Sequence, residues 1–304
     1  MPNATPGSLV AFADAAPAPL APWAPGRFAA LFRKDPAASI AAATLVVILA
    51  AAVFAPVLAP YDPTLPLNIA AGAQPPSSVN WLGTDQYSRD LLSRLLFGAR
   101  ISLSISIFAV ALAVLVGTTW GATAGFAGGW IDQVLMHIVD AGLAIPRILL
   151  LLGIVALWGS LSTASLILVL GLTGWFGASR MVRAEVRSVR DRDFATAARA
   201  TGATPLRVLV RHVLPHALTP MLVAASLGVG QVVVIEAGLA FLGHGVAPPA
   251  ASWGGLIRDG REVLATAWWM SVFPGIALAV TVLAVNVLGD RLRSALGAQQ
   301  LPTP

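Results

Sequence analysis

The chain has 304 residues, 57% of them hydrophobic and only 11% charged, a balance that excludes an ordinary soluble domain and reads as a multi-span membrane protein. Its formal net charge is +5, but the basic residues cluster beside apolar runs, which points to membrane topology and surface charge and not to a nucleic-acid groove. The absence of cysteine excludes disulfides, thiolate metal sites and thiol catalysis.

Residues 1–35, rich in Ala and Pro without apolar periodicity, are expected to form a disordered tail. No Lys or Arg precedes Arg27, so the tail does not read as a signal peptide. Arg27, Arg33 and Lys34 mark it as cytoplasmic. Residues 36–60 carry no charge and are long enough for a first span. A polar segment, 61–98, follows on the outer side. Ile101 to Ile131 is again uncharged and holds the second span, where Gly117, Gly121 and Gly125 at four-residue spacing predict a close helix-packing face.

Residues 148–179 are too few for two spans and too many for one, so a third helix is expected from near Ile138 with a turn at Trp158-Gly159-Ser160. That placement puts Asp140 and Arg147 two turns apart on one helical face. They are expected either to pair, with Arg147 snorkelling towards the cytoplasm, or to touch a transported substrate. Pro146 is a candidate kink. The fourth span is expected over Leu161 to Ser179, and the stretch after it, 180–215, is strongly basic.

Within that stretch Asp193 is a candidate N-cap for a helix over 194–201, and Gly202 suits the left-handed position that ends one. Thr204-Pro205 opens another helix, expected to put Leu206, Leu209, Val210 and Val213 on one face and Arg207 and Arg211 elsewhere, a surface-lying amphipathic pattern. The fifth span covers about 216–239. Glu236 near its outer end is a candidate gate or pathway residue, or alternatively a carboxylate satisfied by a neighbouring helix. An outer loop rich in Gly and Pro occupies 241–264. The sixth span runs from about Ala265 to Gly289, with Trp268-Trp269 read as an interfacial belt. Both ends inside gives thirteen basic residues on the cytoplasmic side against five outside, with Arg147 left in the membrane. The outer Arg residues are expected to pair with Asp62, Asp85, Asp90, Asp259 and Glu262.

Several stretches carry a resemblance. Ala197-Ala198, Gly202 and Leu214-Pro215 resemble the EAA loop of ABC-importer permeases, with Thr196 where the family usually has Glu and His212 where it has Ile. Leu82-Gly83-Thr84-Asp85, Arg89-Asp90, and Gly98 to Leu103 are similar to the C-type subunits of dipeptide, oligopeptide and nickel importers. Phe241-Leu242-Gly243, Pro248-Pro249 and Ser252-Trp253-Gly254 match the same family. The resemblance implies an all-α type I permease fold (MetI-like) with six transmembrane helices, its permease domain at 99–296 and a short tail at 297–304. It implies a coupling loop that docks on an ATPase subunit through Phe194, Thr196, Ala197, Ala198, Gly202, Leu214 and Pro215. It also implies a periplasmic re-entrant loop meeting a substrate-binding protein near Trp253 and Gly254. The implied partners are a B-type permease subunit, two ATPase subunits, a periplasmic binding protein and membrane lipid. The implied location is the bacterial inner membrane, and the implied cargo is small peptides or, alternatively, nickel or another small solute.

No Gly-x-x-x-x-Gly-Lys is possible, because the only lysine, Lys34, follows Arg33. ATP is therefore expected on partner subunits, and no cofactor, metal or catalytic residue is expected in this chain. His212 and His216 are four apart without carboxylate support and read as interfacial. The competing reading is an ion-coupled secondary transporter, which requires Asp140, Arg147 and Glu236 to form one relay.

Overall fold

In the computed structural model, which describes residues 35–68, 71–158 and 161–297, helices carry most of the described residues, with isolated bridges and irregular loops between them. The expectations for residues 1–34, for 298–304 and for the turn residues Gly159 and Ser160 lie outside the described residues.

Helix α1, Pro36–Val53, starts at an Asp35 N-cap whose carboxylate accepts from the amides of Ala37 and Ala38. Pro36 stands at the first turn, where its missing N–H costs nothing. A short helix, α2 (Ala55–Leu58), leads into the polar segment. Helix α3, Leu91–Ala127, begins ten residues before the apolar run does. Asp90 caps it by accepting from the Ser93 amide and hydroxyl. At about 1.5 Å per residue its 37 residues span roughly 55 Å, so its two ends lie on opposite sides of the bundle.

The third span differs from expectation. It is a bent pair, α4 (Gly129–Ala144) and α5 (Arg147–Trp158), meeting at 82°. Ile145 is extended before Pro146, as the pyrrolidine ring demands of its predecessor, so the kink becomes a full break. Neither half is long enough to cross a bilayer alone. Helix α6, Thr163–Val189, continues ten residues beyond the expected end of the fourth span, so the basic stretch starts as helix. After the elbow, α9 (Leu214–Leu239) holds Pro220 inside it. A short helix in the loop after α9, α10 (Trp253–Arg261), precedes the final α11 (Trp269–Gly297). Among the described residues five helices are long and apolar enough to span, and the count reaches six if the bent pair counts as one span.

The glycine stripe sets the centre of the bundle. A Cβ at Gly117 would meet Ala178, one at Gly121 the Ser179 carbonyl, and one at Gly125 the Arg183 carbonyl and Val186. Residue numbers rise together along both helices, so α3 and α6 run parallel with their backbones in contact, as small residues allow. Helix α9 packs antiparallel to α3, Gly228 opposite Val110 and Glu236 opposite Ser102. Helix α11 in turn runs antiparallel to α9, with Gly230 against Val285 and Gly289 against Leu227. Buried Ile105, Leu151, Leu166, Leu170 and Leu239 fill the space between these spans.

Candidate functional site

The basic elbow is built at the end of α3 and α6. Arg180, Arg183 and Arg187 recur at helical spacing on α6 and meet acids of α4. Arg183 forks onto both oxygens of Asp132, Arg187 lies 3.5 Å from it, and Arg180 pairs with Asp140. Beyond Val189, Arg190 Nη1 donates to the Gly125 carbonyl at 2.9 Å, and Arg199 Nη2 donates to the Arg190 carbonyl at 2.7 Å. Guanidinium groups thus satisfy carbonyls left open at both helix ends.

Helix α7 is Asp193–Ala200, starting and ending one residue earlier than expected. Arg192, not Asp193, is the cap position and makes no side-chain cap, while Asp193 sits in the first turn, where its charge opposes the positive helix end. The C-terminus closes as the sequence predicts. Gly202 has φ +84°, its amide donates to Arg199 O at 3.0 Å, and the Ala203 amide donates to Ala198 O at 3.1 Å. This pair of bonds is a Schellman motif. Thr204 then caps α8, Pro205–Val208, accepting from the Arg207 amide at 3.4 Å.

The next turn overturns an expectation. Leu209–Val213 is a π turn, which holds one residue more than an α turn. Val208 and Val213, five apart, are both fully buried, while Leu206 is 70% exposed and Val210 54% exposed. The expected apolar face at Leu206, Leu209, Val210 and Val213 assumed a 3.6 period that the chain abandons there. Val208 and Val213 pack with Val182, Val186 and Ala195, giving the elbow a hydrophobic footing on α6 and α9.

On that footing the candidate coupling residues face outward. Thr196, Ala197, Gly202 and Pro215 are exposed, whereas Ala198 and Leu214 are half-buried. Phe194 is exposed and its ring lies 5.1 Å from that of His216. Phe194, Ala197, Ala198, Gly202, Arg207 and Arg211 line one open concave face.

The pathway candidates do not come together. Asp140 pairs with Arg180, so the expected Asp140–Arg147 pair is not formed: the 82° break separates their helices. Arg147 Nη2 instead donates to Leu170 O at 2.9 Å beside Gly174. Glu236 is 1% exposed. Its Oε2 accepts from Ser102 Oγ at 3.2 Å, and that oxygen accepts from the Trp253 amide at 3.1 Å. Asp140, Arg147 and Glu236, the groups a relay would need, thus have three separate partners.

The loop over 241–264, expected to meet a binding protein, also differs from expectation. Trp253 is 2% exposed, with its indole N–H donating to Leu95 O at 3.1 Å, and a Cβ at Gly254 would strike Ala237. Both face the bundle, so neither offers surface to a docking protein in this conformation. Trp269 is likewise no belt residue: it is buried and its indole donates to Thr84 O at 3.1 Å. Among the expected outer pairs, Asp85 and Asp259 do meet arginines, but Asp90 is a helix cap and Asp62 is taken by Thr64. The Thr64 hydroxyl and amide hold the Asp62 carboxyl below its ordinary range. Sequence reasoning did not single out Ser102 as the link between Glu236 and Trp253. Ser102, Ser104 and Ser106 lie together in one apolar helix, and nothing local marks which of them meets Glu236.

Among the described residues no cluster of three potential metal ligands exists. A family model described as the binding-protein-dependent transport system inner membrane component matches residues 117–299, and one for the N-terminal TM domain of oligopeptide transport permease C matches residues 26–76. The dipeptide transport system permease protein DppC of Alkalihalophilus pseudofirmus is 41% identical over 248 residues, 81% of this chain and 80% of that one. The glutathione transport system permease protein GsiD of Pectobacterium atrosepticum is 35% identical, covering 90% of each. The oligopeptide transport system permease protein OppC of Bacillus subtilis is 36% identical, covering 87% of this chain and 86% of that one. A chain from a solved inward-facing MetNI methionine ABC transporter superposes with a TM-score of 0.54 at 20% identity, covering 66% of this chain and 95% of that chain, which shows the ABC-importer type I permease fold. The chain therefore belongs to the inner-membrane components of binding-protein-dependent transport systems.

Proposed function

We propose that this chain is the C-type permease subunit of an ATP-driven importer of small peptides. It forms the path with a B-type permease subunit, while two ATPase subunits bind and hydrolyse ATP and a periplasmic binding protein delivers cargo. Both termini are cytoplasmic, which puts the elbow inside and residues 61–90 and α10 outside. Thirteen basic residues against five support this orientation.

The observation that carries the reading is the elbow itself. It exposes Thr196, Ala197 and Gly202 while Val208, Val213 and Ala195 are locked into the ends of two spans. A rigid, exposed piece of backbone bolted to spans transmits force, and a chain without a P-loop needs an external source of that force. Peptide is favoured over nickel by the names of the dipeptide, oligopeptide and glutathione permeases that the chain resembles. The separate partners of Asp140, Arg147 and Glu236 remove the support for an ion-coupled relay.

Reconstitution tests this. Proteoliposomes holding the chain, its second permease and the ATPases should accumulate labelled dipeptide only with ATP and the binding protein. Uptake by this polypeptide alone, or uptake abolished by an uncoupler at undiminished ATP, would overturn it.

A further inference from the structure

At the end of α3 remote from the elbow, three guanidinium groups share two carboxylates. Arg89 Nε lies 2.7 Å from Asp85 Oδ2, and Arg94 Nε lies 3.3 Å from the same oxygen. Arg94 Nη2 is 3.9 Å from Asp259 Oδ2, while Arg258 Nη2 is 3.0 Å from Asp259 Oδ1. One positive charge is left over. Arg94 is 3% exposed; its Nη1 donates to Pro63 O at 3.3 Å, but its Nε makes no hydrogen bond although it is buried. Burying three guanidinium groups against two carboxylates leaves a charge uncompensated, and a further anion would offset that cost.

These arginines line an open cleft of about 390 Å³ between residues 86–89 and 246–259. Its rim is apolar and prominent. Tyr87 is 59% exposed with the Arg89 guanidinium 4.8 Å from its ring centre, and Pro248 and Pro249 are exposed on the other wall. A cationic centre that accepts carboxylate forks, framed by an exposed Tyr and by Arg, has the composition of a protein-binding hot spot. A small carboxylate alone would leave that rim uncovered.

We infer that the cleft seats an acidic side chain of the soluble binding protein, an inference that rests on the importer reading above. Its mechanical consequence follows from which elements meet there. Arg89 and Arg94 belong to the outer segment and the start of α3, whereas Arg258 belongs to α10. A carboxylate seated between them ties α10 to α3 from outside. Helix α10 is already tied from inside through the Trp253 amide, Ser102 and Glu236. Docking would therefore bear on the outer ends of α3 and α9 together.

The test uses the assembled importer in nanodiscs, with docking of its binding protein measured by surface plasmon resonance at low and high salt. Size-exclusion chromatography checks that each variant still assembles. Arg258→Glu should weaken docking about tenfold or more and flatten its salt dependence, and Tyr87→Ala should weaken it severalfold, with Arg258→Lys close to wild type. Unchanged docking in assembled Arg258→Glu and Tyr87→Ala complexes would overturn the assignment and leave the importer reading standing. If dipeptide alone bound the wild-type complex, and only that binding were lost in Arg258→Glu, the cleft would belong to the cargo carboxylate instead. A wild-type complex that neither docks the binding protein nor takes up dipeptide with it would remove both readings.

Discussion

Gly121 has no side chain because a Cβ there would fall on the Ser179 carbonyl, a backbone atom that cannot swing aside. Gly121→Val should therefore force α3 and α6 apart and destabilise the bundle by about 1–3 kcal/mol or more, visible as a lower melting temperature of the detergent-solubilised protein. Gly129, whose Cβ would meet open space but whose φ is +55°, should respond to Ala through backbone strain alone, and less severely. Glu236 separates two roles by substitution. Glu236→Gln keeps an oxygen for Ser102 and should assemble normally, whereas Glu236→Leu leaves Ser102 short of its acceptor and should lose about 1–3 kcal/mol. Equal melting temperatures for Gln and Leu variants would show that the Ser102 link contributes nothing. The glycine stripe was legible because its spacing is a helical repeat. The partner of Glu236 was not, since a long-range contact between residues 102 and 236 leaves no local trace.

At the scale of elements, turn chemistry was readable and helix register was not. Gly202 and Thr204-Pro205 announce their conformations because each residue's own backbone preference dictates them. The π turn at Leu209–Val213 depends instead on fitting Val208 and Val213 into one buried face, a tertiary demand that a 3.6 period conceals. The extension of α6 to Val189 has a similar origin. Arg180, Arg183 and Arg187 look like loop charges until Asp132 and Asp140 of α4 appear opposite them. Asp132→Asn should weaken both Arg183 and Arg187 contacts at once. The expected outcome is faster proteolysis between Arg187 and Arg199, with little change at the outer segment. The elbow makes its own prediction. Gly202→Pro removes both the φ of +84° and the amide bonded to Arg199 O, so it should spare insertion and assembly but uncouple ATP hydrolysis from uptake. Dipeptide transport at the wild-type ratio to ATP consumed would count against a coupling role.

For the whole molecule, composition and charge fix the class, and the order of spans follows from where apolar runs are long enough. What composition cannot convey is that the third span is broken at Ile145-Pro146, or that Trp253 and Trp269 turn inward to pin the outer loop to the bundle. The resulting shape has two distinct ends: an exposed elbow on a hydrophobic footing, and an arginine cleft where the 61–90 segment meets α10. The absence of cysteine makes the assignment of those ends directly measurable, because a single introduced thiol is the only one in this chain. Ala197→Cys places it on the exposed face of the elbow. In the complete importer, a short bifunctional thiol-to-amine cross-linker should join it to an ATPase subunit, and a membrane-impermeant maleimide should reach it only from the cytoplasmic side. Labelling from the outside, or no cross-link to the ATPase in an intact and transporting complex, would contradict the role of the elbow as the point where force enters.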